Sequence, residues 1–597
     1  MQGARSFNMN LPYLMIPTFQ RREARRAARL TMLFVAFLLS GPALLLAQNK
    51  TSVQIDLSKD KAMVYSTSIG AAADRWDNSA YSQEALKNLQ DVGITLLRLP
   101  GSQGIDALYH WSTGKLVNPY QNDRIPAFPD QNKFPAVVPA IDQLGTALVA
   151  VNYGTNLDGS GGGEPEEAAA WVAYANGKID STQVIGKDSK GNDWKTVGFW
   201  AGLRAASPLA TDDGYNHLRI GHAEPLGILL WTIGQDPYNN GFYGQDRTVG
   251  SDADVSGKYG EPGSPEPDLH AGKPNNSKDW SRFENNAKMG PQAYGAAVVA
   301  YAKAMKAVDP TILVGAYVMQ PPTDNNAHAR GSKWNEGVLK TACASMDFSA
   351  MDDGFWLGNG LPPNWVDWVD EDDLLLHARY RGDPNNHHPD MNALGQAYGQ
   401  MVGDLQGKYK KYCPSGHMPP LAITGIGTDL WLASQNSTAI GMFAADSVAT
   451  LLELGVYTVI WSPIHSSKGA RNPTLLDSQG KPGSAYEGFR LLHTAAAVGD
   501  TFVQVDSKLP TLAVHAVKRR NGGMALIFIN KNVEHAITTS VSILGYNFAS
   551  QGVRYDWSKE TVLAGKGVTQ APIENLGANF TIDVPRFGIT VVVIPAK

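Results

Sequence analysis

The stretch Ile228-Leu229-Leu230-Trp231-Thr232-Ile233-Gly234-Gln235-Asp236-Pro237-Tyr238-Asn239-Asn240-Gly241-Phe242-Tyr243-Gly244 decides how the chain is read. It opens as a short apolar, partly β-branched run, the pattern of a strand buried on both faces. At Gly234 it breaks into an amide, a carboxylate and aromatics. A buried strand that hands polar groups to a loop at its C-terminal end is the layout of a (β/α)8 barrel active site. Alone, the same residues also read as a strand followed by a Gly/Asn turn. The flanking chain decides between the two.

Working outward, seven more runs read as strands: Met63-Val64-Tyr65-Ser66-Thr67-Ser68-Ile69-Gly70, then 95–99, 146–153, 311–316, 346–351, 421–424 and 456–461. Helical periodicity lies between them. Ala85, Leu89 and Val92, with Leu86 beside them, share one face over 82–92, and 294–307, 374–379, 393–411 and 438–454 read likewise. Pro165 with Glu164, Glu166 and Glu167 suits a helix first turn. Strands alternating with helices predict a parallel barrel over 60–485. After 486 short strands follow without long helices, at 513–517, 524–529, 537–543 and 589–594. That predicts an antiparallel sandwich over 486–597, about 100 residues, to which 50–58 adds a strand. The expected fold class is therefore α/β: a TIM barrel followed by a C-terminal antiparallel β-sandwich. The Gly/Pro/Asp-rich segment 246–280 reads as a long loop over the barrel mouth.

Of the 597 residues, 43% are hydrophobic and 18% charged, enough for a large core and unlike a disordered chain. A formal net charge of −5 excludes a nucleic-acid partner of the usual basic kind. The two cysteines, Cys343 and Cys413, read as buried thiols, with pairing left open. No CxxC or His/Cys cluster suggests zinc, the adjacent His387-His388 reads as solvated loop, and the Gly159–Gly163 run lacks the Lys-Ser/Thr of a phosphate loop. No cofactor or metal is expected. Residues 1–47 read as a secretory signal with an extended basic leader: a basic run at 21–29, an apolar run at 30–39, Gly41-Pro42, then Leu45-Leu46-Ala47. Secreted or periplasmic localisation is expected. The apolar run is short for a bilayer, so an uncleaved anchor is the alternative. Met15 and Met32 are alternative starts.

The segments Leu97-Arg98-Leu99-Pro100-Gly101-Ser102, Tyr109-His110-Trp111, Val151-Asn152-Tyr153-Gly154-Thr155, Pro165-Glu166-Glu167 with the run to Asn176, and Trp231-Thr232-Ile233-Gly234 stand in this order along the chain. Together they resemble the bacterial α-L-arabinofuranosidase-like glycoside hydrolases of clan A. Lys303-Ala304-Met305-Lys306-Ala307-Val308-Asp309-Pro310 and Phe443-Ala444-Ala445-Asp446 extend the likeness, which covers 60–597. The resemblance implies a saccharide-binding cleft and two carboxylates. One is a general acid/base Glu after the fourth strand in a Gly-Asn-Glu setting. The other is a nucleophilic Glu after the seventh, about 5–5.5 Å away in retaining enzymes.

The chain departs from that pattern at both places. The first reads Gln235-Asp236 and the second Ile423-Thr424-Gly425-Ile426. Asp236 remains the candidate acid/base, but it is one methylene shorter than Glu. A displacement of about 1 Å can cost on the order of 10²-fold. Gly425 cannot attack, and losing a nucleophile costs roughly 10⁴ to 10⁶-fold. Asp352, Asp353 and Asp429 are the candidates for a second carboxylate. An inverting arrangement would need about 6.5–9.5 Å between the pair. Arg98, Asn152, Tyr153, Gln235, Tyr238, Trp356, Trp461 and His465 are expected to bind sugar from the strand ends, with barrel core the competing reading for Trp461. The partner expected is an oligo- or polysaccharide; oligomeric state is open. The reading is of a secreted carbohydrate-active protein, acting on or binding plant or microbial polysaccharide, with a catalytically inactive glycan binder on the same barrel as the alternative.

Overall fold

A computed structural model describes residues 50–74, 76–101, 105–117, 128–158, 162–235, 237, 290–319, 334–352, 393–427, 438–465 and 474–597. In chain order its strands begin with β1 (Lys50–Met63), β2 (Ile69–Ala72), β3 (Leu96–Leu99) and the small hairpin β4 (Tyr109–His110) and β5 (Lys115–Leu116). Then come β6 (Thr146–Val151), β7 (Leu230–Ile233), β8 (Leu313–Tyr317), β9 (Phe348–Asp352), β10 (Leu421–Ile426) and β11 (Thr458–Trp461). The last are β12 (Thr501–Ser507), β13 (Leu512–Lys518), β14 (Met524–Asn530), β15 (Ile537–Leu544), β16 (Gly552–Ser558), β17 (Thr569–Ile573), β18 (Asn579–Val584) and β19 (Gly588–Ile594).

Eight of these close into a parallel barrel in the order β2-β3-β6-β7-β8-β9-β10-β11, β11 pairing back onto β2 through Val459↔Ile69. Every residue of β3, β7, β10 and β11 is buried. That is why these strands read as continuous apolar runs: one face fills the barrel and the other meets helices. The first barrel strand lies later than the sequence suggests. Met63 ends β1 and pairs with Thr501, outside the barrel, and only Ile69 begins β2. Both segments favour extended backbone, and only the pairing partner separates them. The helices Val197–Ala205 and Trp334–Ala342 were not anticipated; the segment 374–379 lies outside the described residues.

Beside the small hairpin, the other nine strands form one sheet in the order β17-β16-β19-β14-β13-β12-β1-β15-β18, with β1–β12, β12–β13, β13–β14, β14–β19, β15–β18, β16–β17 and β16–β19 all antiparallel. The fold is a TIM barrel with a C-terminal antiparallel β-sandwich. Alternation in β14 shows how the two parts join. Met524, Leu526 and Phe528 enter the sandwich core with Val53, Val541 and Val592, while Ala525, Ile527 and Ile529 belong to the barrel's core. Successive strand residues face opposite ways, so a strand apolar throughout lies between two cores. The helix Thr438–Glu453 faces the same demand, being buried from Thr438 to Leu452. The helix Ser484–Ala495 runs across the expected 485/486 boundary, and the sheet resumes at Thr501.

Charge is buried at this junction. Lys531 Nζ lies 2.6 Å from Asp446 Oδ2, both side chains being fully buried. His515 contacts Asp446 Oδ1 through Nε2 at 3.2 Å and Glu453 Oε1 through Nδ1 at 2.8 Å. Burial opposes the imidazolium, but Glu453 and Asp446 outweigh it and raise His515 to about 10. Burial likewise opposes the Asp446 carboxylate, yet Lys531 and His515 hold it well below the usual range.

Cys343 and Cys413 form a disulfide, with Cα atoms 5.5 Å apart, correcting the expectation of two thiols. It ties the end of the helix Trp334–Ala342 to the end of the helix Ala393–Tyr412. The cysteines are 70 residues apart. The chain-entropy account of closing such a loop predicts about 4 kcal/mol of stabilisation.

Candidate functional site

The strand ends converge on a polar layer built around Arg98. Its side chain is only 2% exposed and crosses the barrel from β3. Nη1 donates to the Thr424 carbonyl at 2.6 Å and Nε to the Gly101 carbonyl at 3.2 Å. A buried guanidinium must find acceptors, and β10 supplies one through an irregularity. Ile423 pairs with Met351 and then Gly425 with Asp352, so Thr424 is an extra residue opposite β9. The register shifts against β11 as well, between Ile423 and Ile426. Such a bulge frees a backbone group and re-aims side chains. Tyr317 donates to Thr424 Oγ1 at 2.9 Å, and Thr424 Oγ1 donates to the Met351 carbonyl at 3.2 Å.

Asp352 ends β9 beside this layer. Its Oδ2 accepts from Gln235 Nε2 at 2.9 Å, while Oδ1 lies 3.9 Å from Arg98 Nη1. Its side chain keeps 21% exposure. Gln235 is placed by Gly234, whose φ of 65° lies in the left-handed region that glycine adopts freely. The turn also lets the Gln235 N–H donate to Asp106 Oδ2 at 2.8 Å. The break at Gly234 thus delivers an amide across the end of β8 onto the carboxylate that ends β9.

Two further networks flank the layer. His465, after β11, contacts Asp77 Oδ2 through Nδ1 at 2.8 Å, both residues nearly buried. Burial works against the Asp77 carboxylate, but hydrogen bonds from His465 and Ser79 prevail and lower its pKa. Burial, with the charge of Asp77 added, pushes the Tyr81 hydroxyl up. On the other flank His110 Nδ1 lies 2.8 Å from Glu167 Oε2, and Nε2 3.3 Å from Thr155 Oγ1.

Asn152 belongs to that second flank rather than to an open cleft. Its Oδ1 accepts from the Gly154 and Thr155 N–H groups at 2.9 and 3.0 Å, and Nδ2 donates to the Tyr109 carbonyl at 3.2 Å. It shapes the loop after β6 and has its polar atoms engaged. Tyr153 is 6% exposed and stands edge-on to Tyr294 and Tyr301. Trp461, expected at a sugar face, is fully buried, edge-on to Phe443 and Phe489; it is core, because the helices 438–453 and 484–495 cover that side of β11. Asp236, Asp353, Asp429, Tyr238 and Trp356 lie outside the described residues, as does the segment 246–280. Among the described residues no group of three or more His, Cys, Asp or Glu could hold a metal ion.

The fold is similar to that of solved GH51 α-L-arabinofuranosidases. The thermostable GH51 α-L-arabinofuranosidase from Thermotoga petrophila RKU-1 superposes with a TM-score of 0.60 over 91% of this chain and 100% of its own, at 14% identity. The Thermotoga maritima α-L-arabinofuranosidase in its arabinose complex gives 0.60 over 91% and 99%, at 15% identity. A family 44 xyloglucanase from Paenibacillus polymyxa gives 0.52 over 92% and 100%, at 14% identity. No family model and no curated protein sequence matches the chain.

In this arabinofuranosidase-like fold, sequence reasoning named Arg98, Gln235 and Asp352 as separate candidates, which the structure brings into one layer, but it missed Asp77, Asp106, Tyr317 and Thr424. Thr424 carried a signal, since it stands one residue before the glycine that breaks the expected pattern. Asp77 and Asp106 sit in loops with no local motif, and only the closure of β11 onto β2 and of β3 beside β6 brings them to the mouth.

Proposed function

We propose that this is an exported carbohydrate-active protein whose ligand, an oligo- or polysaccharide, enters at the C-terminal mouth of the barrel. Hydrolysis of O-glycosidic bonds of the α-L-arabinofuranosidase type is the leading reading. The observation that carries it is Asp352: a partly exposed carboxylate at a barrel strand end, held by the Gln235 amide and next to the buried Arg98 guanidinium. Catalytic groups of this architecture sit at that face, and polar groups converging in a cleft fix a ligand's orientation. The arabinofuranosidase-like fold supports the substrate class. Net hydrogen bonds add only about 0.5–1.5 kcal/mol each, so affinity for a single sugar unit is expected to be micromolar to millimolar, and tighter for oligomers.

A second reading is a glycan binder without turnover, favoured by Gly425, which places no side chain at the end of β10. Assays with aryl α-L-arabinofuranosides and related pentosides, paired with calorimetry on arabino- and xylo-oligosaccharides, separate the two. Turnover selects the first reading and heat without turnover the second. Neither signal with any of these sugars rejects both.

Export is part of the proposal. The basic and apolar leader supports it, as does the Cys343–Cys413 disulfide, since such bonds persist in oxidising compartments. N-terminal sequencing of exported protein should read a start near Gln48; an intact Met1 or Met15 on soluble exported protein would end this part of the proposal.

A further inference from the structure

Gly425 and Asp352 are register partners on the adjacent parallel strands β10 and β9. A Cβ built on Gly425 would collide with Asp352 Oδ1 and stand 3.0 Å from its Cγ and 3.3 Å from Arg98 Nη1. The space a side chain at 425 would enter is therefore filled by the carboxylate of the neighbouring strand. The glycine's lack of a side chain and the bulge at Thr424 serve one arrangement: the bulge turns the Thr424 carbonyl onto Arg98 and sets Gly425 opposite Asp352.

We infer that Asp352 is the acidic group of the saccharide site, reaching from β9 into the volume that a β10 side chain would otherwise occupy, and that Gly425 is what admits it. The inference rests on the proposed saccharide site and names the residue that serves it. Among the described residues Asp352 Oδ1 accepts no hydrogen bond, whereas Oδ2 accepts from Gln235 Nε2. Arg98 Nη1, already bound to Thr424, lies 3.9 Å from that free oxygen. A ligand hydroxyl could bridge the two groups, its oxygen at about 2.8 Å from each. It would donate to Asp352 and accept from Arg98, both contacts being charge-assisted. A carboxylate already saturated by its neighbours would have nothing to offer a sugar; among the described residues this one keeps one oxygen open.

The test combines a stability cycle with a functional swap in the full chain. Thermal unfolding of Gly425→Ala, Asp352→Ala and the double variant is compared with wild type. If the two side chains compete for one volume, the melting-temperature penalty of Gly425→Ala should fall to less than half in the Asp352→Ala background. Equal penalties would overturn the placement. On aryl α-L-arabinofuranosides and on arabino- and xylo-oligosaccharides, Asp352→Asn should lower turnover, or affinity in a protein that only binds, at least 100-fold with the melting temperature kept. Asp352→Ala combined with Gly425→Asp returns a carboxylate to the same space and should recover at least 10-fold over Asp352→Ala alone. Full function in Asp352→Asn would overturn the inference, and this isosteric variant carries the test should Gly425→Ala fail to fold. Wild type that neither turns over nor binds these sugars would sink the saccharide reading, while the stability cycle would still decide the placement.

Discussion

At the barrel–sheet junction Lys531 and Asp446 are both fully buried and stand 2.6 Å apart, with His515 and Glu453 completing the set. At the mouth Arg98 is nearly as buried, yet its nearest described carboxylate, Asp352, stays 3.9 Å away and partly exposed. Carbonyl groups rather than a counter-charge satisfy the guanidinium. The junction spends its electrostatics on itself: each charge meets its opposite at contact distance, which orients a barrel helix against two sheet strands. The mouth leaves its pair apart, so attraction between them is still available to a third group. Buried ion pairs are costly to break, whereas unmatched polar groups at a strand end are the usual mark of a site.

The sharpest way to break this comparison is to remove a partner from each region. Lys531→Met should destabilise the protein by about 3–5 kcal/mol, because Asp446 is left buried without its main counter-charge; chemical denaturation measures it. A loss below about 1 kcal/mol would mean that water or rearrangement compensates, and the contrast would fail. No effect of that size is expected from any single change at Asp352.

The pH dependence should come next in size, and it belongs to the junction. The folded state holds His515 at about 10, above the ordinary value of about 6.5. Its contribution is therefore fully present below about pH 6.5 and is lost as pH rises toward 10. Asp446, held low, contributes above the ordinary carboxylate range and loses that contribution as pH falls through and below it. Melting temperature should decline between neutral pH and pH 10, and His515→Gln should flatten that decline while lowering the neutral plateau. An unchanged alkaline slope in His515→Gln would detach the effect from this residue.

Within the mouth, Thr424→Val should cost about 1 kcal/mol, since it removes the hydroxyl that accepts from the buried Tyr317. The double variant with Tyr317→Phe should recover much of that loss, as both polar ends are then gone. Additive losses in a denaturation cycle would show that the hydroxyl pair is not coupled. The smallest change is Asp352→Asn, expected to shift stability by under about 1 kcal/mol because the side chain is partly solvated. A larger loss would make Asp352 a structural residue like Asp446 and erase the contrast.

The barrel was legible because its strands are buried on both faces, so 95–99, 146–153 and 421–424 stand out as apolar runs whatever their neighbours. The first barrel strand was not, because residues 63–70 straddle the end of β1, which pairs with β12, and the start of β2. Trp461 could be read either as a sugar platform or as core; only the helices packed against β11 settle it as core. The disulfide was equally out of reach, since 70 residues separate cysteines that the ends of two helices bring together.

By itself the sequence determined the alternation of barrel strands with helices, the two-part architecture and the absence of a side chain at position 425, all properties of local periodicity and residue identity. It also showed that a carboxylate at the end of the sixth barrel strand was available. Where that carboxylate goes was decided only by tertiary structure. Strand register sets Asp352 beside Gly425, closure of the barrel brings Arg98 across to Thr424, and the turn at Gly234 lowers Gln235 onto the same oxygen pair. These contacts join residues separated by more than seventy positions. No local pattern encodes them, because their distances depend on how the strands are staggered around the barrel rather than on any one strand.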